Sequence, residues 1–391
     1  MRIAMLTEVF PPRIDGVTNR LGHTLRRLRE AGHEVLVVAP DTAVPRYEGF
    51  EVVRVPSLPT PGPPGVRLAA PDPRVLGALR RFQPDVVHAL GPVALGVWGL
   101  AAARLLALPI VVSCHTDLAR AASVHGLGFA RGWIWKLVQT VHAQAHVNLA
   151  PSRWMQDELR RHGVANVGLW RGAVDGERFH PRHRTEEMRM RLSGGWPDAP
   201  VVLYAGRLSA ERNLDQLRLV LDAAPDAQVA VVGDGPLRAE LARTLPAERV
   251  TFTGFLEGRA LACAFASADL FFLPSTTETL GSVALEAMAS GVPVVAAAAG
   301  GLTDLVRHAE NGWLFPPERT EEALRGVREL LGSLSGRRFY AAQARKAAEA
   351  HTWTAATETL LDHYRRAMAI AGQCGPLARL HRALASRVAG A

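Results

Sequence analysis

The chain is poor in the residues that would tie it to an oxidising compartment, a structural metal or a membrane interior. Only three cysteines occur in 391 residues, Cys114, Cys263 and Cys374. They stand far apart, without the paired spacing of a disulfide framework or a zinc site, and read as reduced, buried bystanders. No apolar stretch reaches the ~20 uninterrupted residues of a membrane-spanning helix. The longest, such as Val93 to Leu108, are broken by glycine, proline or arginine. The N-terminus runs straight into the strand-like Arg2-Ile-Ala-Met-Leu-Thr7, with no apolar leader or cleavage site, so the expected location is the cytoplasm. Aromatic residues make up 6%, with neither an aromatic-studded strand nor a recognition-helix motif, which argues against a nucleic-acid partner. Lysine is nearly absent, since 43 of the 45 basic residues are arginine.

What is present suits a globular protein with two separate cores: 48% apolar and 21% charged residues over a length that exceeds one ordinary domain. The net charge of +8 is uneven. Residues up to Arg184 hold 23 basic and 14 acidic groups, a balance of +9, and the remainder holds 22 and 23. The first half thus carries the whole excess, which suggests a polyanionic partner there. Within that half, Leu118 to Ala145 mixes Arg120, Arg131, Trp133, Trp135 and Lys136 with apolar residues. Such a mixture suits peripheral contact with an anionic membrane on the inner face of the cell membrane; the alternative is that the tryptophans are core.

Both halves alternate short Val/Ile/Leu-rich runs with amphipathic stretches, the pattern of parallel sheets covered by helices, hence an α/β class. Strands are expected at Arg2–Thr7, Glu34–Ala39, Glu51–Val55, Val86–Ala89, Ile110–Ser113 and His146–Ala150. A second series follows at Val201–Ala205, Gln228–Val232, Val250–Thr253, Leu270–Leu273 and Val294–Ala297. The polar, Gly- and Pro-containing stretch from Asp175 to Pro200 reads as linker and flanks. The expected division is a first Rossmann-like domain over 1–185, a second over 186–351, a helix over 352–372 that returns to the first, and a tail over 373–391. Two doubly wound domains in tandem face each other across a cleft at the carboxyl ends of their sheets, where such folds bind ligands.

The loops carry the chemistry. In Leu273-Pro-Ser-Thr-Thr-Glu278-Thr-Leu-Gly-Ser-Val-Ala-Leu-Glu286 a buried strand ends, a polar loop presents Glu278, and a helix starts near Gly281. The backbone around Thr279, Leu280, Gly281 and Ser282, with the positive end of the helix, makes a diphosphate site. Glu278 lies before the helix and Glu286 within it, so one can bind sugar hydroxyls while the other reaches a ribose. Arg207 and Arg212 follow the first strand of the second domain in Ala205-Gly-Arg-Leu-Ser-Ala-Glu-Arg212. Two cations there stabilise the charge that develops on a departing diphosphate, so no metal is required. Gly16, in the first strand-to-helix loop Pro11-Pro-Arg-Ile-Asp-Gly-Val, lets backbone approach phosphate. The Gly233-Asp-Gly-Pro236 and Gly254-Phe-Leu-Glu-Gly258 turns either border a nucleotide base or are ordinary tight turns.

Two glutamates separated by seven residues in this setting resemble the signature of family 4 retaining glycosyltransferases with the GT-B fold. Gly16-Val-Thr-Asn-Arg20, Ser113-Cys-His-Thr116, Pro181 to Leu192, Gly206-Arg207 and Pro274 through Gly301 carry the same resemblance, which covers roughly Met1 to Ile370. Within the family the chain is similar to the lipid-directed branch that includes sulfoquinovosyldiacylglycerol synthases. The resemblance implies transfer of a hexose from a nucleotide diphosphate sugar, taken as a UDP-sugar, to a lipid such as diacylglycerol, without metal or further cofactor. The same chemistry on a soluble acceptor (an inositol, a phosphosugar or a polysaccharide) is the alternative, as is a nucleotide-sugar epimerase or hydrolase on the same fold. It further implies that His115 lies against the transferred sugar and that His115 and Glu278 are the catalytic residues. Gly16, Arg207, Arg212, Thr279, Leu280, Gly281 and Glu286 then bind the donor. The family usually has lysine where Arg212 stands; charge is kept, but a planar fork replaces a compact ammonium.

Overall fold

The computed structural model describes residues 1–11, 15–41, 44–59, 67–124, 126 and 128–373. Pro12, Arg13 and Ile14 of the first glycine loop, and the tail from residue 374 with Cys374, lie outside the described residues. The chain divides into two compact units. One comprises Met1–Ala119, Gly128–Arg171 and the stretch beginning at Trp353; the other comprises Arg120–Leu127 and Gly172–Thr352.

In the first unit the strands are β1 (Arg2–Thr7), β2 (Glu34–Pro40), β3 (Arg46–Tyr47), β4 (Phe50–Val55), β5 (Ser57–Pro59), β6 (Arg67–Ala69), β7 (Val86–Leu90), β8 (Ile110–Ser113), β9 (Val147–Ala150) and β10 (Val167–Leu169). Eight of them form one sheet in the order β10-β9-β8-β7-β1-β2-β4-β3, parallel except for β3, while β5 and β6 pair separately. Its central strands are buried along most of their length and largely apolar, because helices cover both faces; His88 of β7 is buried with them, and Glu34 at the start of β2 is exposed. Ile3 of β1 pairs with Val35 and Val86, and all three are buried. The helix Gly16–Glu30 begins at Asp15, whose carboxylate accepts from Val17 and Thr18 while Thr18 accepts from the Asp15 amide. Gly32, at φ 72°, turns the chain out of it.

The last helix, Trp353–Gln373, belongs to this unit. Leu360, Tyr364 and Ala367 are buried in one core with Leu21 and Leu25 of the first helix, each buried leucine contributing about 1.5–3 kcal/mol. Trp353 stacks on His23 with ring centroids 4.5 Å apart, and the Trp170 indole N–H donates to the Ala356 carbonyl at 3.1 Å.

The second unit has β11 (Val201–Ala205), β12 (Gln228–Val232), β13 (Val250–Gly254), β14 (Leu270–Leu273), β15 (Val294–Ala297) and β16 (Gly312–Phe315), in the order β13-β12-β11-β14-β15-β16. All its pairings are parallel. Both sheets reverse strand order beside their first strand, between β1 and β7 and between β11 and β14, and a doubly wound sheet opens a crevice there.

Two expectations need correction. The stretch 175–200 is not a linker but part of the second unit's body. Phe179 and Leu192 are buried in its core, and the buried Arg189 guanidinium pairs with Asp269 and donates to the carbonyls of Pro197, Ala199 and Ser267. Its glycines and prolines mark turns, not freedom. The chain leaves the first unit at Arg171, before the expected boundary at 185, because Val174 already donates to the His351 carbonyl at 2.9 Å. In addition, β10 and β16 escape the sequence reading: Gly168 interrupts one, and the other starts on a glycine after Asn311.

Candidate functional site

The loops that follow β11 and β14 flank the order reversal of the second sheet, and they hold Arg207, Arg212 and Glu278. Each loop is shaped by contacts to the other. Asn213, in the left-handed region at φ 53°, donates through its amide to the Pro274 carbonyl at 3.2 Å. The Thr277 hydroxyl donates to the Glu211 carbonyl at 3.4 Å. Between them the Arg212 guanidinium donates to the Ser275 hydroxyl at 3.2 Å and pairs with the Glu278 carboxylate. Arg207 is exposed, and its carbonyl accepts the buried Tyr204 hydroxyl at 3.0 Å.

Glycines let the loops sit this close. A Cβ on Gly300 would lie 2.0 Å from the Glu278 carbonyl oxygen, and one on Gly301 2.4 Å from that of Thr279. Gly301 N–H donates to the Glu278 carbonyl at 2.8 Å, which fixes the backbone that carries the carboxylate. Likewise a Cβ on Gly233 would lie 2.0 Å from the Gly206 carbonyl oxygen. The Gly233 turn therefore has a packing reason for its glycine inside the unit, which favours the ordinary-turn alternative for that residue.

Gly281, at φ 83°, precedes the helix Ser282–Ala289, and no side chain caps it. The helix thus keeps its positive end for a ligand. The Leu280 side chain packs on Gly172, where a Cβ would meet it at 2.5 Å. Thr279 and Leu280 are both half-buried. Glu286 lies within the helix, half-buried, and burial pushes its carboxyl up to about 7 against the opposing field of the Arg178 guanidinium. Among the described residues, no hydrogen bond or ion pair joins Glu286 or Arg207 to the Arg212–Glu278 pair. The sequence placed all four in one site; the structure couples two of them directly.

In the first unit, His115 follows β8 and is held by a buried chain of hydrogen bonds. Its Nε2 lies 2.8 Å from the Ser113 hydroxyl, which lies 2.9 Å from His88 Nε2, and His88 Nδ1 lies 2.8 Å from the Tyr364 hydroxyl. Burial, then the nearby Arg20 guanidinium, holds His115 well below the ordinary imidazole range and brings His88 down to about 3. Arg20 is itself buried, 3.6 Å over the Trp170 ring, and donates to the carbonyls of Trp170 and Arg171. Ser113 and Arg20 lie in motifs that carry the family resemblance, whereas His88, Trp170 and Tyr364 do not. The legible signals are a histidine inside the otherwise apolar Val86-Val-His-Ala-Leu90 and an arginine beside the apolar stripe of Leu21, Leu25 and Leu28.

Gly16 is exposed, and a Cβ there would meet nothing within 4 Å. The chain itself does not require a glycine at that point. The amides of Val17 and Thr18 are already taken by Asp15, so the first helix does not keep them for phosphate.

The two tryptophans of the basic stretch separate. Trp135 is 7% exposed and stacks on His162 at 3.7 Å, whereas Trp133 is 82% exposed. Leu137, four residues on, shares the exposed face of the helix Arg131–His142, and Phe129 stands exposed in the turn before it. Among the described residues no helix is long and apolar enough to cross a membrane. Cys114 and Cys263 are buried, and burial pushes the Cys114 thiol up to about 12, which leaves it inert.

Comparison with known proteins bears on both units. Residues 14–178 match the model of Glycosyltransferase Family 4, and residues 190–347 that of Glycosyl transferases group 1. The chain is 41% identical over 373 residues to the GDP-mannose-dependent alpha-mannosyltransferase of Mycolicibacterium smegmatis, covering 93% of this chain and 97% of that protein. It is 38% identical over 369 residues to the sulfoquinovosyl transferase SQD2 of Arabidopsis thaliana, covering 91% of this chain and 72% of that protein. Among solved structures, sucrose-phosphate synthase from Thermosynechococcus elongatus superposes with a TM-score of 0.78 at 20% identity, covering 94% of this chain and 99% of the other.

Proposed function

Because the chain belongs to the family 4 glycosyltransferases and has the two Rossmann-like domains of the GT-B fold, we propose that it transfers a hexose, with retention, from a nucleotide diphosphate sugar to a lipid acceptor. The observation that carries this reading is the Arg212–Glu278 pair, held between the loops that follow β11 and β14 at the order reversal of the second sheet, just before the uncapped helix Ser282–Ala289.

In this reading the diphosphate sits on the amides around Gly281, with Arg207 and Arg212 beside it. Their charge stabilises the leaving group as the glycosidic bond breaks, so the step needs no metal. The acceptor hydroxyl attacks the face from which the nucleotide departs, and a phosphate oxygen of the leaving group takes its proton. Glu278 orients the sugar through its hydroxyls, and the Arg212 partner fixes that carboxylate in one direction. Glu286 accepts from the ribose hydroxyls.

The donor was expected to be a UDP-sugar. A second reading, GDP-mannose, is favoured by the 41% identity to an enzyme named for that donor. For the acceptor, the exposed Phe129, Trp133 and Leu137 and the +9 balance up to Arg184 support peripheral docking on an anionic membrane that presents the lipid. Incubation with UDP-, GDP- and ADP-hexoses and vesicles containing diacylglycerol or phosphatidylinositol tests the whole reading. An α-linked glycolipid from an α-linked donor is expected. Transfer to water-soluble acceptors alone refutes the lipid, and a β-linked product refutes retention.

A further inference from the structure

We propose that the outward face of the helix Ala94–Leu105 is a second membrane-contact surface, so that the first unit lies on an anionic bilayer by a whole layer of helices. The inference rests on the reading of a lipid acceptor and extends its docking surface to a different helix, on observations of its own.

The two faces of the first sheet are covered by unlike helices. Leu79, Leu95 and Val141 share a core with Leu6 and Val38, whereas Leu21 and Leu360 share one with Met5 and Val37. Successive strand residues point to opposite faces. The helices Pro73–Phe82, Ala94–Leu105 and Arg131–His142 therefore cover one face, and Gly16–Glu30 and Trp353–Gln373 the other. The first three hold Arg74, Arg80, Arg81, Arg104, Arg131 and Lys136 and no aspartate or glutamate. The opposite pair includes Glu30, Glu358 and Asp362. The carboxylates that cap the first layer do not offset its charge at the surface. Asp72 pairs with Arg74, and Glu8, which accepts from the Val93 and Gly96 amides, is buried.

Within that layer Ala94–Leu105 is apolar on its outward side as well as its inward one. Leu95, Gly99 and Leu100 are buried against the sheet. Val97, Ala101 and Leu105 stand one turn apart on the other side, with Val93 before them and Trp98 beside Val97. All five are exposed, Trp98 by 47% and Leu105 by 70%. The one charged residue of the helix, Arg104, donates to the side-chain oxygen of Gln144 at 2.7 Å, just past the end of Arg131–His142. That bond ties the two helices together, so the stripe and the exposed Trp133 and Leu137 belong to one layer. Over about 18 Å the helix thus offers water only apolar side chains and a cation, the composition of an interaction surface. A second copy of the chain on this layer would bring cations to cations, whereas anionic headgroups complement them and the bilayer boundary accepts tryptophan. Val93 follows β7 at the order reversal of the first sheet, where a doubly wound sheet opens its crevice. A lipid headgroup reaches that crevice from the bilayer without its chains crossing water.

The test uses the full chain and vesicles of phosphatidylcholine with or without phosphatidylglycerol. Trp98→Asp and Leu105→Asp should each lower flotation with the anionic vesicles about tenfold or more, since each withdraws a large apolar side chain and adds a repelled charge. Their melting temperatures should match that of the unsubstituted chain, because both side chains are exposed. Bromine on the lipid acyl chains should quench Trp98, read as the quenching that is lost in Trp98→Phe. An unquenched Trp98 overturns the proposal even if neither Asp variant folds. Full flotation of both Asp variants, with weakened flotation of Trp133→Ala, overturns it too and leaves the docking surface on Arg131–His142 alone. Equal flotation with uncharged vesicles removes the charge complementarity it needs, and a dimer in sedimentation that Trp98→Asp dissolves gives the stripe to a second copy of the chain; either result overturns it. Transfer to water-soluble acceptors alone, with flotation as expected, removes the lipid acceptor and leaves this surface standing.

Discussion

Replacing Glu286 by glutamine removes a carboxyl whose burial has a measurable cost. Glu286 lies in the helix Ser282–Ala289, half-buried, with its carboxyl moved from an ordinary 4.5 to about 7. That displacement corresponds to about 3 kcal/mol of native-state preference for the neutral acid. Between pH 4.5 and 7 the folded chain holds a proton that the unfolded chain has released. The contribution is therefore complete below pH 4.5 and is lost as pH rises through 7. Glutamine cannot ionise, so Glu286→Gln keeps this stability at alkaline pH. The melting temperature of the variant minus that of the unsubstituted protein should rise by roughly 6–12 °C between pH 4.5 and pH 8. Thermal unfolding at half-unit intervals of pH measures it, and a difference that does not change with pH refutes the reasoning. Nucleotide binding should show the opposite preference. If the Glu286 carboxylate accepts from ribose hydroxyls, the nucleoside diphosphate Kd rises about tenfold per unit as pH falls below 7, with proton release on binding. Glu286→Gln should bind weakly and without that slope in calorimetry.

Glu278→Ala should lower kcat by about 100-fold or more while nucleoside diphosphate affinity changes only a few-fold, because the carboxylate orients the sugar and not the nucleotide. Equal turnover in steady-state assays would remove Glu278 from the site. Gly300→Ala places a Cβ 2.0 Å from the Glu278 carbonyl oxygen at φ 58°, so it should cost about 1–3 kcal/mol in thermal unfolding and reduce kcat with it. Trp135→Ala should destabilise by about 3–5 kcal/mol, since that ring is buried against His162. Trp133→Ala should leave unfolding unchanged and weaken flotation with anionic vesicles several-fold; undiminished flotation would move the docking surface elsewhere.

The sequence alone determined the class of fold and most of its strands, because a parallel sheet covered on both faces writes itself as unbroken Val/Ile/Leu runs such as Val86–Leu90 and Val201–Ala205. It also placed Arg207, Arg212 and Glu278 in loops after two strands and Glu286 in the helix that follows, since a strand end, a glycine and a helix start are local features. Three matters were left to the tertiary structure, each depending on residues distant in the chain. Glycine and proline content cannot tell a turn packed on a core from a free linker, so only the tertiary contact of Arg189 with Asp269 shows that residues 175–200 belong to the body of the second unit. Helical spacing left Trp133 and Trp135 as alternatives, because two positions two apart point different ways and only the packing of His162 says which is covered. The chain of hydrogen bonds from Tyr364 to His115 joins residues 249 positions apart, from the last helix to the end of β8. Buried polar groups must find partners wherever the fold brings them, and no local pattern of residues announces which ones those are.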